Sequence, residues 1–161
     1  MVRYGAMVTD RDFAVVQLTN LAWPPLLSLP TTRFRLLVAA DVREVGDGAI
    51  AQFASAALNA EMVYFCAWGP DCERFHDIVD SVLVNDDKGA RRYAGPRPED
   101  IVMTTWHDDE SLEEALDFLA TCAVPTDGLT PDSSFRLVMC VDNPSWAATA
   151  TQFLRSAEFF V

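Results

Sequence analysis

Four short apolar runs punctuate the chain, at Phe34 to Asp41, Met62 to Trp68, Ile101 to Trp106 and Phe135 to Asp142. A short continuous apolar run is how a strand buried on both faces reads. Each run is followed by a stretch whose apolar residues recur at helical spacing. The first has Asp47 as a candidate N-cap and places Ile50, Phe53, Ala54, Ala57 and Leu58 on one face. The second opens with Pro70 at the first helical position and buries Phe75, Ile78, Val79 and Val82. The third carries a capping box, Ser111 with Glu114, ahead of Leu112, Ala115, Leu116 and Leu119. The fourth starts at Asn143-Pro144, with Trp146, Ala150, Phe153, Leu154 and Ala157 as its stripe.

Strand and helix thus alternate four times. That alternation predicts an α/β fold, a mainly parallel central sheet of four to five strands with helices on both faces, in the manner of a Rossmann-like or flavodoxin-like three-layer sandwich. Two of the runs are near repeats: Phe34-Arg35-Leu36 and Phe135-Arg136-Leu137 both lead through apolar residues to an aspartate, Asp41 or Asp142. Phe13 to Leu18 supplies a further strand, expected at an edge, before a loop with Trp23-Pro24-Pro25 that ends near Pro30. The expected organisation is an N-terminal segment over 1–33 and an α/β core over 34–161, together one domain. Residues 85–100, with Lys88, Arg91, Arg92 and Arg97 among Gly and Pro, read as an exposed loop.

Composition narrows the partners. A chain of 161 residues suffices for one core, and no apolar stretch approaches the roughly 20 residues that span a bilayer. The first residues lack the apolar centre of a secretory signal, so a cytoplasmic protein with no membrane contact is expected. Twelve basic against 24 acidic residues give a net charge of −12. That charge repels a phosphate backbone, which argues against direct nucleic-acid binding and for a basic protein partner. Cys66, Cys72, Cys122 and Cys140 lack the spacing of a zinc or redox motif and are expected as reduced, mostly buried thiols.

In a parallel sheet the carboxyl ends of the strands share one edge, and ligands bind there in open α/β sheets. The loops at that edge supply the candidate rim: Asp41, Trp68, Asp71, Trp106, His107, Asp108, Asp109 and Asp142. Carboxylates converging with imidazole suit Mg²⁺, Mn²⁺ or Zn²⁺, and Asp41, His107 and Asp108 lead that set if a crevice joins the first and third loops. The competing reading is that Asp71, Asp109 and Asp142 cap helices without any ligand. Trp68 and Trp106 are candidates for a pocket wall. Gly46-Asp47-Gly48-Ala49-Ile50-Ala51 fits a dinucleotide fingerprint only formally, because Asp47 stands where a pyrophosphate would lie. No phosphate loop and no nucleophile elbow occurs in the chain.

The segments Cys66-Ala67-Trp68-Gly69-Pro70-Asp71-Cys72 and Thr104-Thr105-Trp106-His107-Asp108-Asp109-Glu110, with the helix starts that follow them, resemble a family of uncharacterised bacterial domains over roughly residues 34 to 146. The resemblance implies a bacterial origin and a small cytosolic α/β domain, and no activity. Two functions compete. One is a non-enzymatic, regulatory or immunity-type factor that binds a basic protein and needs no cofactor. The other is a metal-dependent hydrolase or phosphoryl-transfer enzyme that uses the acidic edge; the sequence leaves open whether the protein is an enzyme.

Overall fold

The computed structural model describes residues 4–85 and 99–157. Most of the basic segment read as an exposed loop, residues 86–98, lies outside them. Among the described residues the chain forms β1 (Tyr4–Thr9), β2 (Phe13–Leu18), β3 (Phe34–Ala39), α1 (Asp47–Asn59), β4 (Met62–Trp68), α2 (Cys72–Val84), β5 (Met103–His107), α3 (Leu112–Thr121), β6 (Phe135–Val141) and α4 (Pro144–Ser156). The fold is α/β, and its sheet has six strands rather than four to five, in the order β1-β2-β6-β3-β4-β5. All neighbours are parallel except β1 and β2, which form an antiparallel pair. Phe13–Leu18 therefore lies inside the sheet and not at its edge. The edge is β1, reached through the tight turn at Asp10 to Asp12, where the Asp10 amide donates to the Phe13 carbonyl at 2.8 Å.

Successive side chains alternate across the sheet, and each face gathers its own core. Leu36, Val38, Phe65, Leu137 and Met139 pack with Ile50 and Phe53 of α1 and Phe75 and Val79 of α2. Leu37, Ala39, Cys66, Val138 and Cys140 pack with Leu116 and Leu119 of α3 and Ala150 and Leu154 of α4. Burial is what shaped the apolar runs: Leu36, Leu37, Val38 and Ala39 are all fully buried. The connection from β2 to β3 lies over the first face, where Trp23 stacks on Phe34 with ring centres 5.7 Å apart.

Several helix starts differ by a residue or two from expectation. Gly46, not Asp47, caps α1, and Asp47 is the first helical residue. Pro70 precedes the α2 cap, Asp71, instead of opening the helix. The α3 box forms as read: Ser111 Oγ accepts from the Glu114 amide at 3.1 Å, and Glu114 Oε2 accepts from the Ser111 amide at 2.9 Å. Asn143 Oδ1 accepts from the Trp146 amide at 3.1 Å, with Pro144 beginning α4. All four cysteines are free and three of them are buried, as expected of mostly buried thiols; Cys122 is exposed because it stands at the C-cap of α3 where the apolar stripe has ended.

Candidate functional site

Strand order decides which rim residues meet. From β3 the chain proceeds to α1 on one face, and from neighbouring β6 it proceeds to α4 on the other. The connections therefore diverge between β3 and β6, which is where an open α/β sheet leaves its crevice. Phe34 pairs with Phe135 and Ala39 with Cys140 in unbroken register, so the near-repeated segments run side by side and bring Asp41 and Asp142 to the same place on the edge. β4 separates β3 from β5. His107 and Asp108 consequently stand two strands from Asp41, and the crevice argument that grouped these three does not apply.

The carboxylates of Asp41, Asp71 and Asp108 have local partners. Asp41 is exposed and forks onto Arg43, with Oδ1 accepting from Nε at 2.9 Å and Oδ2 from Nη2 at 2.6 Å. The hydrogen bonds from Arg43 hold the Asp41 carboxyl below its ordinary range. Asp71 caps α2 in a left-handed conformation (φ 65°) without a side-chain cap bond, and accepts from Arg74 Nε at 2.7 Å. Arg74 also donates to Asp47 and to the carbonyls of Val42 and Val45, tying the β3–α1 loop to α2. Asp109 (φ 56°) and Asp142 (φ 51°) share the left-handed backbone, a region that Asp tolerates better than most residues. Asp108 accepts from the Asp109 amide at 3.1 Å, and the Asp142 amide donates to the Leu18 carbonyl at 2.8 Å.

The two tryptophans point to opposite faces. Trp68 pairs in register with His107, and Trp106 with Ala67, so Trp68 and Trp106 cannot form one wall. Trp68 instead meets Trp146 edge-on, with ring centres 5.1 Å apart, while its Nε1 donates to the Glu110 carbonyl at 2.9 Å. Trp106 remains 43% exposed and lies over His76, with ring centres 4.5 Å apart.

Adjacent Thr104 and Thr105 on β5 face opposite sides, and each meets an imidazole. His76 places Nε2 3.0 Å from Thr104 Oγ1 and Nδ1 3.0 Å from Asp77 Oδ1. His107 places Nε2 2.9 Å from Thr105 Oγ1 and Nδ1 2.9 Å from Glu110 Oε2, and its ring packs on Phe118. Both imidazoles are buried and fully partnered. Burial pushes the nearby Cys66 thiol and Tyr64 hydroxyl each up to about 12, so neither is a thiolate or phenolate nucleophile near neutrality.

Sequence reasoning missed Arg43, Arg74 and Trp146. Asp41-x-Arg43 and Asp71-x-x-Arg74 carried a signal for the ion pairs, the second at the spacing of one helical turn. Among the described residues no three His, Cys, Asp or Glu side chains cluster closely enough to hold a metal ion. None of the described helices is long and apolar enough to cross a membrane.

The profile of a domain of unknown function, DUF7684, matches residues 13–156. The chain belongs to that family. The family unit takes in β2 and every later element, so it is wider than the core over 34–161 at its start, and β1 lies before it. No curated protein and no solved structure matches the chain.

Proposed function

We propose that the protein is a binding module which docks a basic protein partner on the acidic carboxyl edge of its sheet, with no catalysis of its own. The observation that carries this reading is the state of the rim. Asp41, Asp71, Asp108, Asp109 and Asp142 are all exposed, and the side-chain bonds of Asp41, Asp71 and Asp108 are to nearby arginines and an amide rather than to a common centre. Arg43 and Arg74 are committed to Asp41, Asp71 and Asp47, which leaves Asp108, Asp109 and Asp142 to set the sign of the edge. The Trp68–Trp146 pair beside them offers apolar area at the same edge. An α/β/α layering of the Rossmann-like or flavodoxin-like kind fits this use, because it presents several loops on one side of a rigid sheet.

Charge complementarity of this sort speeds association and weakens with salt. The test uses a lysine-rich peptide titrated into the protein at about 50 and about 300 mM salt. The expected result is binding that weakens about ten-fold across that range. The variant Asp108→Asn/Asp109→Asn/Asp142→Asn loses it. The variant Glu61→Gln/Asp117→Asn/Asp127→Asn, which removes equal charge away from the rim, retains it. Equal losses in both variants, or no binding at low salt, would remove the rim as the docking surface.

A further inference from the structure

On the face that carries α3 and α4, helix α4 covers β6 and β2, and an open trough of about 570 Å³ runs between this helix and the β1–β2 hairpin. Its volume is within the range of small-molecule sites. Val8 and Val15 form the floor, and Ala147 and Ala148 form the wall. Although 24 of the chain's residues are acidic, none of the described residues lining the trough is a carboxylate. Arg155 stands at one end, beside Gln152 and Ser156.

The guanidinium groups of Arg33, Arg35, Arg43, Arg74 and Arg136 hold carbonyls or carboxylates. That of Arg155 bonds no other described residue. A cation in the last turn of a helix compensates the helix dipole, which accounts for its position in the sequence. It does not account for a mainly apolar trough, with no carboxylate among its described lining residues, opening beside it.

We infer that this trough binds an amphipathic carboxylate, its apolar chain lying along Val8, Val15, Ala147 and Ala148 and its carboxylate on Arg155. The apolar floor selects the chain, because burial of methylene groups is its main source of affinity. The guanidinium fork matches the two oxygens of a carboxylate and rejects a neutral or cationic head. The inference goes beyond the proposed docking edge and uses none of its residues.

The probe is decanoate, kept below its micelle-forming concentration and followed by amide chemical shifts, with octanoate and decanol for comparison. Saturable shifts are expected in β1, β2 and α4, with decanoate roughly four- to ten-fold tighter than octanoate. Arg155→Gln weakens decanoate about three- to five-fold and leaves decanol binding unchanged. Ala148→Trp fills the trough from its solvent side and abolishes both; Ala148 is exposed, so the melting temperature stays put and lost binding is not lost fold. Shifts centred elsewhere, no saturation, decanol binding as tightly as decanoate, or unchanged decanoate affinity in Arg155→Gln would each overturn the assignment.

Discussion

Arg35 and Arg136 stand side by side in register on β3 and β6, and both turn their guanidinium groups to carbonyls at and just beyond the end of α3. Arg136 donates to Leu119 at 3.3 Å, Ala120 at 3.0 Å and Ser134 at 2.7 Å, and Arg35 donates to Ala123 at 3.1 Å and Ser133 at 2.9 Å. The negative end of the helix dipole makes the placement of two cations there favourable. Burial lowers the pKa of both, and with the neighbouring charge of Arg35 it brings Arg136 down to about 10.

Removing Arg136 leaves buried helix-end carbonyls without their donor. Arg136→Met is expected to cost about 2–4 kcal/mol in urea unfolding. Arg136→Lys recovers less than half of that, because an ammonium cannot reach three carbonyls from one planar fork. A loss below about 0.5 kcal/mol would show that the carbonyls find other donors easily.

Gly69 holds the closest approach at the rim. Its φ is 118°, and an added Cβ would lie 2.1 Å from the Ala40 carbonyl oxygen. Beside it the Ala40 amide donates to the Trp68 carbonyl at 3.0 Å, which continues the β3–β4 pairing past the strands. Gly69→Ala therefore meets both backbone strain and a clash with main-chain atoms. We expect a loss of about 3 kcal/mol or more, with Trp68 fluorescence changed in whatever fraction folds. An unchanged melting temperature would contradict this account of the turn.

The thiols divide three to one. Native labelling should modify Cys122 quickly and leave Cys66, Cys72 and Cys140 until the protein unfolds. Burial raises Cys66 and Cys140 from 9.0 to about 12. Between those values the folded state keeps protons that the unfolded state releases, so stability falls as pH rises above about 9. The slope is about 1.4 kcal/mol per pH unit for each thiol. A Cys66→Ala/Cys140→Ala variant should flatten that alkaline slope; an equally steep profile would assign it to other groups.

Asp108 separates the docking reading from the metal reading. As an exposed residue bonded only to the next amide, Asp108→Asn should change stability by at most about 1 kcal/mol. Mg²⁺, Mn²⁺ and Zn²⁺ should leave the melting temperature where it is. A divalent-ion shift that Asp108→Asn abolishes would make the hydrolase the better reading.

The fold was largely legible because burial on both faces writes itself into a sequence as unbroken apolar runs, as in Leu36 to Ala39 and Leu137 to Cys140. β1 was not, since an edge strand has no such constraint: Met7 is 42% exposed and Val8 half-buried. Its signal was the short Asp10 to Asp12 link before Phe13. The candidate site was legible residue by residue but not as an arrangement. Asp41 ends the strand next to that of Asp142 and stands two strands from His107, because β6 and β4 flank β3, and no local pattern encodes strand order. Trp68 and Trp106 read alike in sequence yet face opposite sides, a matter of strand parity that depends on where β5 begins.

That insertion also sets a timetable for biosynthesis. The strand that joins β2 to β3 is β6, whose partner residues on each are roughly a hundred or more positions earlier. While the chain is being made, β3, β4 and β5 can associate with α1 and α2, but the β1–β2 hairpin has no parallel neighbour until Phe135–Val141 leaves the ribosome. A nascent chain stopped before Phe135 would expose two unpaired strand edges, those of β2 and β3, each a template for pairing with another molecule. Arrival of β6 closes both at once, making its emergence the step that protects the chain from aggregation.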